Sequence, residues 1–367
     1  MHAVAVYPNA RKIEVIDTHP EPALERDTDV LLDMLDVGVC GTDKEIARFD
    51  YGTPPAGSDY LALGHESLGK VARVGSNVTR VKPGDLVVTM VRRPCPHPEC
   101  RACRAGRQDF CFTGDFTERG IKGRHGFMTE RVVDDEKYMH VLPPGLRDVG
   151  VLVEPLTIAE KALIQVWDVQ ERLPWTASGG SDGHGQRALV LGAGPVGLLG
   201  ALALIARGFD TWVYSRDLEG SDTARWVAGV GGTYVSTQTS LADLAARIGN
   251  IDLVYEATGA ASVSFQALGV LGTNGVFVFT GVPGRKGPIE VAADGLMRDM
   301  VLKNQLVFGT VNAGSDAFAA AVADLARFKA RWPQLVSSLI TGRFAPERAP
   351  ALLTGDADGI KNVVSFG

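Results

Sequence analysis

Residues 187–197 read RALVLGAGPVG, an apolar run that stops at a glycine, turns, and resumes as the helical pattern VGLLGALALIAR. A buried strand, a turn with three spaced glycines and a helix, in that order, restrict the fold severely. Gly192 permits the tight turn, Gly194 lets backbone approach a pyrophosphate, and Gly197 lets helix and strand pack closely. The helix amino terminus, opened by Pro195 and Val196, then faces negative phosphates. Strand before and helix after make this a dinucleotide turn and not a ligand-free bend.

The chain downstream continues the alternation. TWVYS (211–215), TYVS (233–236), IDLVYEA (251–257), GVFVFTG (275–281) and QLVFGTV (305–311) read as strands, with SLADLAARIG and GLMRDMVLKN as helices between them. With RALVL that makes six strands, the count of a doubly wound parallel α/β sheet. The second strand ends Tyr214-Ser215-Arg216-Asp217. Ser215 stands where an NAD enzyme usually places an acid, and Arg216 can pair with a 2′-phosphate. Asp217 can still take a ribose hydroxyl. The expectation is NADP preferred and NAD accepted. Thr258, Thr280, Gly281, Val282, Thr310, Val311 and Asn312, at and just beyond the ends of the later strands, are further cofactor candidates.

The 367 residues exceed one ordinary domain, and the part before this block has a different character. DVLLDMLDVGVC (29–40), LGKVARVGSN (68–77) and GDLVVTM (84–90) are short β-branched runs bounded by Gly, Asn and Pro. PWTASGGSDGHGQ (174–186) reads as a loop ahead of the α/β block. The tail adds a long helix, AFAAAVADLARFKARW, and a strand-like KNVVSF. A net charge of −6 argues against a general nucleic-acid binder. No signal peptide, no membrane span and no secreted disulfide pattern is read, so the cytoplasm is expected.

Four of the five cysteines fall within RRPCPHPECRACRAGRQDFC (92–111). Cys95, Cys100, Cys103 and Cys111 are separated by four, two and seven residues. Four thiolates saturate tetrahedral zinc and leave no open position, so such a site is structural. His97 is a substitute ligand in the wide first interval. The fifth cysteine, Cys40, lies in VGVCGTDKE, followed by His65 and Glu66 in LGHESLG and by Glu154 in VEPLTIAEKAL. A thiolate, an imidazole and carboxylates suit a catalytic zinc, although each residue alone has a structural alternative.

CGTD, GHE, the cysteine cluster, EPL and a late GxGxxG, in this order, resemble the zinc-dependent medium-chain dehydrogenases along essentially the whole chain. The resemblance implies a GroES-like catalytic domain from residues 1–170 and 312–367, with a structural zinc lobe near 92–112, and a Rossmann domain over 171–311. CGTDKEI, the RRP run, FTERGIKG (116–123), LVEPLTIAEKAL (152–163) and FGTVNAG (308–314) are similar to the glucose 1-dehydrogenase branch. That likeness implies Cys40, His65, Glu66 and Glu154 around the catalytic zinc, and Thr42, Glu118, Glu154 and Asn312 against a sugar. The family usually separates its lobe cysteines by two, two and seven residues, which puts Cys95 against His97 as first ligand; four cysteines are favoured. The implied reaction is oxidation of an aldose at C1, D-glucose to gluconolactone, with two zinc per chain and NADP or NAD. A polyol, aminocyclitol or threonine-type dehydrogenase is the alternative. A homo-oligomer, dimer or tetramer, is implied by the family alone.

Overall fold

The computed structural model describes residues 1–175, 182–284, 287–355 and 359–367. The middle of the expected 174–186 loop, residues 176–181, lies outside these. The chain forms two compact units, Met1–Thr157 with Asn312–Gly367, and Ile158–Val311. The first division falls inside the helix Val153–Gln170, ahead of the expected 170/171. A continuous helix carries no compositional break, so sequence placed the boundary at its end.

In the second unit six parallel strands run in the order Thr233–Ser236, Asp210–Ser215, Arg187–Leu191, Leu253–Glu256, Val276–Phe279 and Leu306–Gly309. This is the doubly wound order expected from the alternation of strands and helices. Ala188, Leu189, Val190 and Leu191 are fully buried, as strands covered on both faces must be. Leu191 stands opposite both Tyr214 and Glu256, so the turns after these three strands lie side by side.

The first unit is built on a seven-stranded mixed sheet whose central strand is Asp29–Gly38. Glu66–Val74 pairs with it on one side. The tail strand Lys361–Ser365 pairs antiparallel on the other, Val363 facing Gly38. The terminal segment therefore returns to the residues just before Cys40. Leu32, Val37, Leu63, Phe127, Met128, Leu353 and Val364 meet in one core beneath this sheet. A small sheet of Arg92–Arg93, Thr117–Arg119 and Gly123–Arg124 carries Glu118. No helix among the described residues is long and apolar enough to cross a membrane.

Candidate active site

Cys40 caps the short helix Gly41–Ala47: its Sγ accepts from Thr42 N at 3.3 Å, and Asp43 Oδ2 accepts from Cys40 N at 2.9 Å. This reciprocal cap satisfies helix-terminal donors and fixes the thiol and the buried Asp43 together. The other carboxylate oxygen, Oδ1, lies 3.3 Å from His65 Nδ1, and His65 Nε2 lies 3.0 Å from Cys40 Sγ. Asp43 thus sits as a close ionic partner on the side of the ring away from the thiol, though neither atom completes a hydrogen bond, where metal-binding histidines usually find support. Burial alone would depress the imidazole, but Cys40 and Asp43 outweigh it and hold its pKa well above the usual range.

Glu66 follows His65 into the strand and is almost wholly buried. Lys361 Nζ donates to both of its oxygens, at 2.7 and 2.6 Å, and to Val39 O at 3.2 Å. A Cβ on Gly38 would lie 2.0 Å from Glu66 Oε2, so only glycine admits the carboxylate. One donor atom each from Cys40, His65 and Glu66 lies within 4.8 Å of the others. A sulfur, a ring nitrogen and a carboxylate oxygen at that spacing fit zinc with room for a further ligand. Glu154 lies outside this set, in the first turn of its helix. Burial, together with the negative charge of Glu66 and against the pull of His65, pushes its carboxyl up to about 7. Thr42 is half-buried beside Cys40.

The sulfurs of Cys95, Cys100, Cys103 and Cys111 also gather within 4.8 Å. His97 is not among them; its Nε2 lies 2.7 Å from Asp115. Sulfurs this close cannot all be thiolates without a cation among them. Burial and its sulfur neighbours push Cys103 up to about 12, while hydrogen bonds centred on Thr113 and Gly114 overcome burial and bring Cys111 down to about 6. The donor set fits a closed tetrahedral zinc.

In the second unit Gly192 has φ +99°, and a Cβ there would meet Thr258 Cγ2 at 2.8 Å. A Cβ on Gly197 would lie 2.2 Å from Gly192 O, the close packing expected of the third glycine. Gly194 meets nothing and caps the helix Pro195–Ala206 without a side-chain partner, so the helix N–H groups are left to a ligand. Arg216 is exposed, and no described residue pairs with it. Asp217 Oδ2 already accepts from Thr223 Oγ1 at 2.8 Å.

A family model described as glucose dehydrogenase C-terminus matches residues 147–366, and one described as alcohol dehydrogenase GroES-like domain matches residues 26–144. The chain is 38% identical to a glucose 1-dehydrogenase of Methanocella arvoryzae over 370 residues, covering 100% of both. It is 40% identical to that of Thermoproteus tenax, covering 99% of each. It belongs to the glucose dehydrogenase branch of the zinc-dependent medium-chain dehydrogenases. The glucose dehydrogenase of Haloferax mediterranei, solved in complex with NADP, Zn and gluconolactone, superposes with a TM-score of 0.87 at 32% identity, covering 100% of this chain and 99% of that one.

Within this glucose dehydrogenase fold, three residues matter that sequence reasoning missed. Lys361 and Asp43 hold two of the candidate zinc ligands, as described. Glu256, fully buried at the end of its strand, accepts from Thr258 N, Thr258 Oγ1 and Gly259 N through Oε1, and from Gly281 N through Oε2. It therefore shapes two of the loops that carry cofactor candidates. The signal available was one acid closing the apolar run LVYE.

Proposed function

We propose that this protein oxidises an aldose at C1, D-glucose to gluconolactone, with NADP preferred and NAD accepted. The observation that carries this is the Cys40, His65 and Glu66 donor set, in a chain that matches a glucose dehydrogenase over its full length. When bound, zinc supplies Lewis acidity at the C1 oxygen, and the nicotinamide accepts the hydride. Cys40, His65 and Glu66 would hold the metal, with Glu154 as a further carboxylate available to it. Cys95, Cys100, Cys103 and Cys111 hold a second, structural zinc. Glu118 and Asn312 pair with sugar hydroxyls that would otherwise be buried without partners. Thr42 would hydrogen-bond the C1 hydroxyl and relay its proton, accepting it while releasing its own hydroxyl proton toward solvent; Thr42→Val is expected to lower kcat by about 10²-fold with the zinc content unchanged.

Gly192, Gly194 and Gly197 seat the pyrophosphate, and Arg216 pairs with the 2′-phosphate. Arg216→Ala is expected to cut the NADP-to-NAD ratio of kcat/KM by about tenfold or more, because one charge-assisted phosphate contact is lost. Reduction of both cofactors, followed across aldoses and polyols, tests the whole reading. Glucose should lead with NADP, and a polyol turned over faster than every aldose would overturn it.

The working form is a homo-oligomer in the cytoplasm, placed in carbohydrate metabolism. The helix Ala293–Leu302 buries none of its residues, and Met297, Val301 and Leu302 are 62, 71 and 66% exposed. Beside it in sequence, Leu306–Gly309 is an edge strand with one side unpaired. Both features fit a second copy of the chain. Val301→Glu is expected to shift the protein toward monomer by light scattering, with the near-ultraviolet circular dichroism of the fold retained.

A further inference from the structure

Arg92 opens the RRP run and is buried against Glu118, their side chains 8 and 6% exposed. Its Nε and Nη2 both lie 3.0 Å from Glu118 Oε1. Asn312 Nδ2 donates to the same oxygen at 3.1 Å. All three donors converge on one carboxylate oxygen, and no described residue bonds Oε2. The amide is fixed by the same contact, since only its NH2 can face a carboxylate. Asn312 Oδ1 is accordingly turned elsewhere, buried and without a hydrogen-bond partner. Its backbone, at φ +58°, is in the left-handed region that asparagine tolerates better than most residues.

The far side of the guanidinium is held as well. Nη1 donates to Asp109 O at 3.3 Å, and the Arg92 carbon lies 3.7 Å from the centre of the Phe116 ring. Asp109 belongs to the cysteine lobe and pairs with Arg107. A Cβ on Gly314, two residues after Asn312, would lie 3.1 Å from both of these side chains. The lobe thus supports Arg92 from one direction and the turn bearing Asn312 from another.

We propose that Arg92 is the positioning residue of the sugar site: it fixes Glu118 so that Oε2, with Asn312 Oδ1, forms a pair of acceptors that takes ring hydroxyls as donors. Two acceptors, the Asn312 oxygen buried and neither bonded to a described donor, favour a ligand that can donate and disfavour one that cannot. Lysine cannot replace Arg92, because one compact ammonium cannot donate to Glu118 Oε1 while also reaching Asp109 O and lying flat on Phe116. This inference rests on the reading that the site binds an aldose.

The test uses the full-length, zinc-loaded protein with Arg92→Lys and Arg92→Met, glucose and the set of mono-deoxyglucoses. The wild type is expected to disfavour at least one deoxy sugar by about 10²-fold in kcat/KM. In Arg92→Lys the glucose KM should rise about tenfold with kcat within about threefold, and that discrimination should collapse. Calorimetric affinity for gluconolactone should fall in parallel, a readout independent of turnover. Melting temperature and zinc content near wild type show that the fold is kept; should Arg92→Met not fold, Arg92→Lys carries the test. Unchanged KM and discrimination in Arg92→Lys would overturn the proposal, as would a loss confined to kcat. A wild type active on glucose beside such variants sinks this inference alone, whereas a wild type that oxidises no aldose sinks the proposed function with it.

Discussion

Lys361→Met is expected to destabilise the protein by about 3–5 kcal/mol, the usual cost of removing one partner from a buried ion pair. Lys361 and Glu66 are 1 and 2% exposed, and the ammonium spans both carboxylate oxygens and Val39 O. Burial opposes the charge on Lys361, but Glu66, Cys40 and Glu154 together raise its pKa. Methionine fills the volume and leaves Glu66 charged, buried and wedged over Gly38. The double variant Lys361→Met/Glu66→Leu should recover much of the loss, because it removes the stranded charge as well. Zinc binds the folded site and offers Glu66 another cation, so added zinc should raise the melting temperature of Lys361→Met more steeply than that of the wild type. Chemical denaturation of the metal-free proteins measures the first two, and thermal denaturation with and without zinc measures the third. A loss under about 1 kcal/mol in the metal-free single variant would mean that the pair is solvated.

What could be read from the sequence was what local chemistry enforces. Gly192 is required by its own positive φ and Gly197 by its approach to Gly192 O, both within one strand–turn–helix unit, so the turn was legible, and the alternation that follows made the count of six strands legible. The gathering of the four lobe cysteines was legible because they sit close in sequence. What stayed hidden was long-range pairing. Lys361 is an ordinary residue at the start of a strand until the tail pairs with Asp29–Gly38 and brings it to Glu66, 295 positions away. Arg92 could be noticed as part of RRP, but its partner was invisible because the small sheet forms only when Thr117–Arg119 folds back on it. Asp43 was within reach: an acid three residues after a possible helix cap is a capping signal, and the cap is what aims it at His65. The boundary within Val153–Gln170 had no such signal, since one helix serves both units.

Arg92 contacts both Asp109 of the lobe and Glu118, and if Glu118 belongs to the sugar site as proposed, the cysteine cluster has a consequence beyond local stability. Cys100→Ser is expected to reduce zinc from two per chain to one, because the remaining three thiolates lose the closed tetrahedral set. Structural zinc contributes on the order of 10 kcal/mol to the order of small metal lobes, so residues 92–112 should open and become protease-sensitive. The proposed catalytic set of Cys40, His65 and Glu66 draws no residue from the lobe and should keep its metal. Asp109 O would then cease to hold Arg92, and the turn at Gly314 would lose its seat. Glucose KM should therefore rise about tenfold or more, the scale on which outer support of a site is felt, while the affinity for NADP, measured by fluorescence titration, stays near wild type. Loss of one zinc with glucose KM unchanged would show that the lobe is a staple and nothing else. A parallel fall in NADP affinity would point to general unfolding. Only a KM effect confined to the sugar follows from the chain of contacts running from the lobe through Asp109 and Arg92 to Glu118.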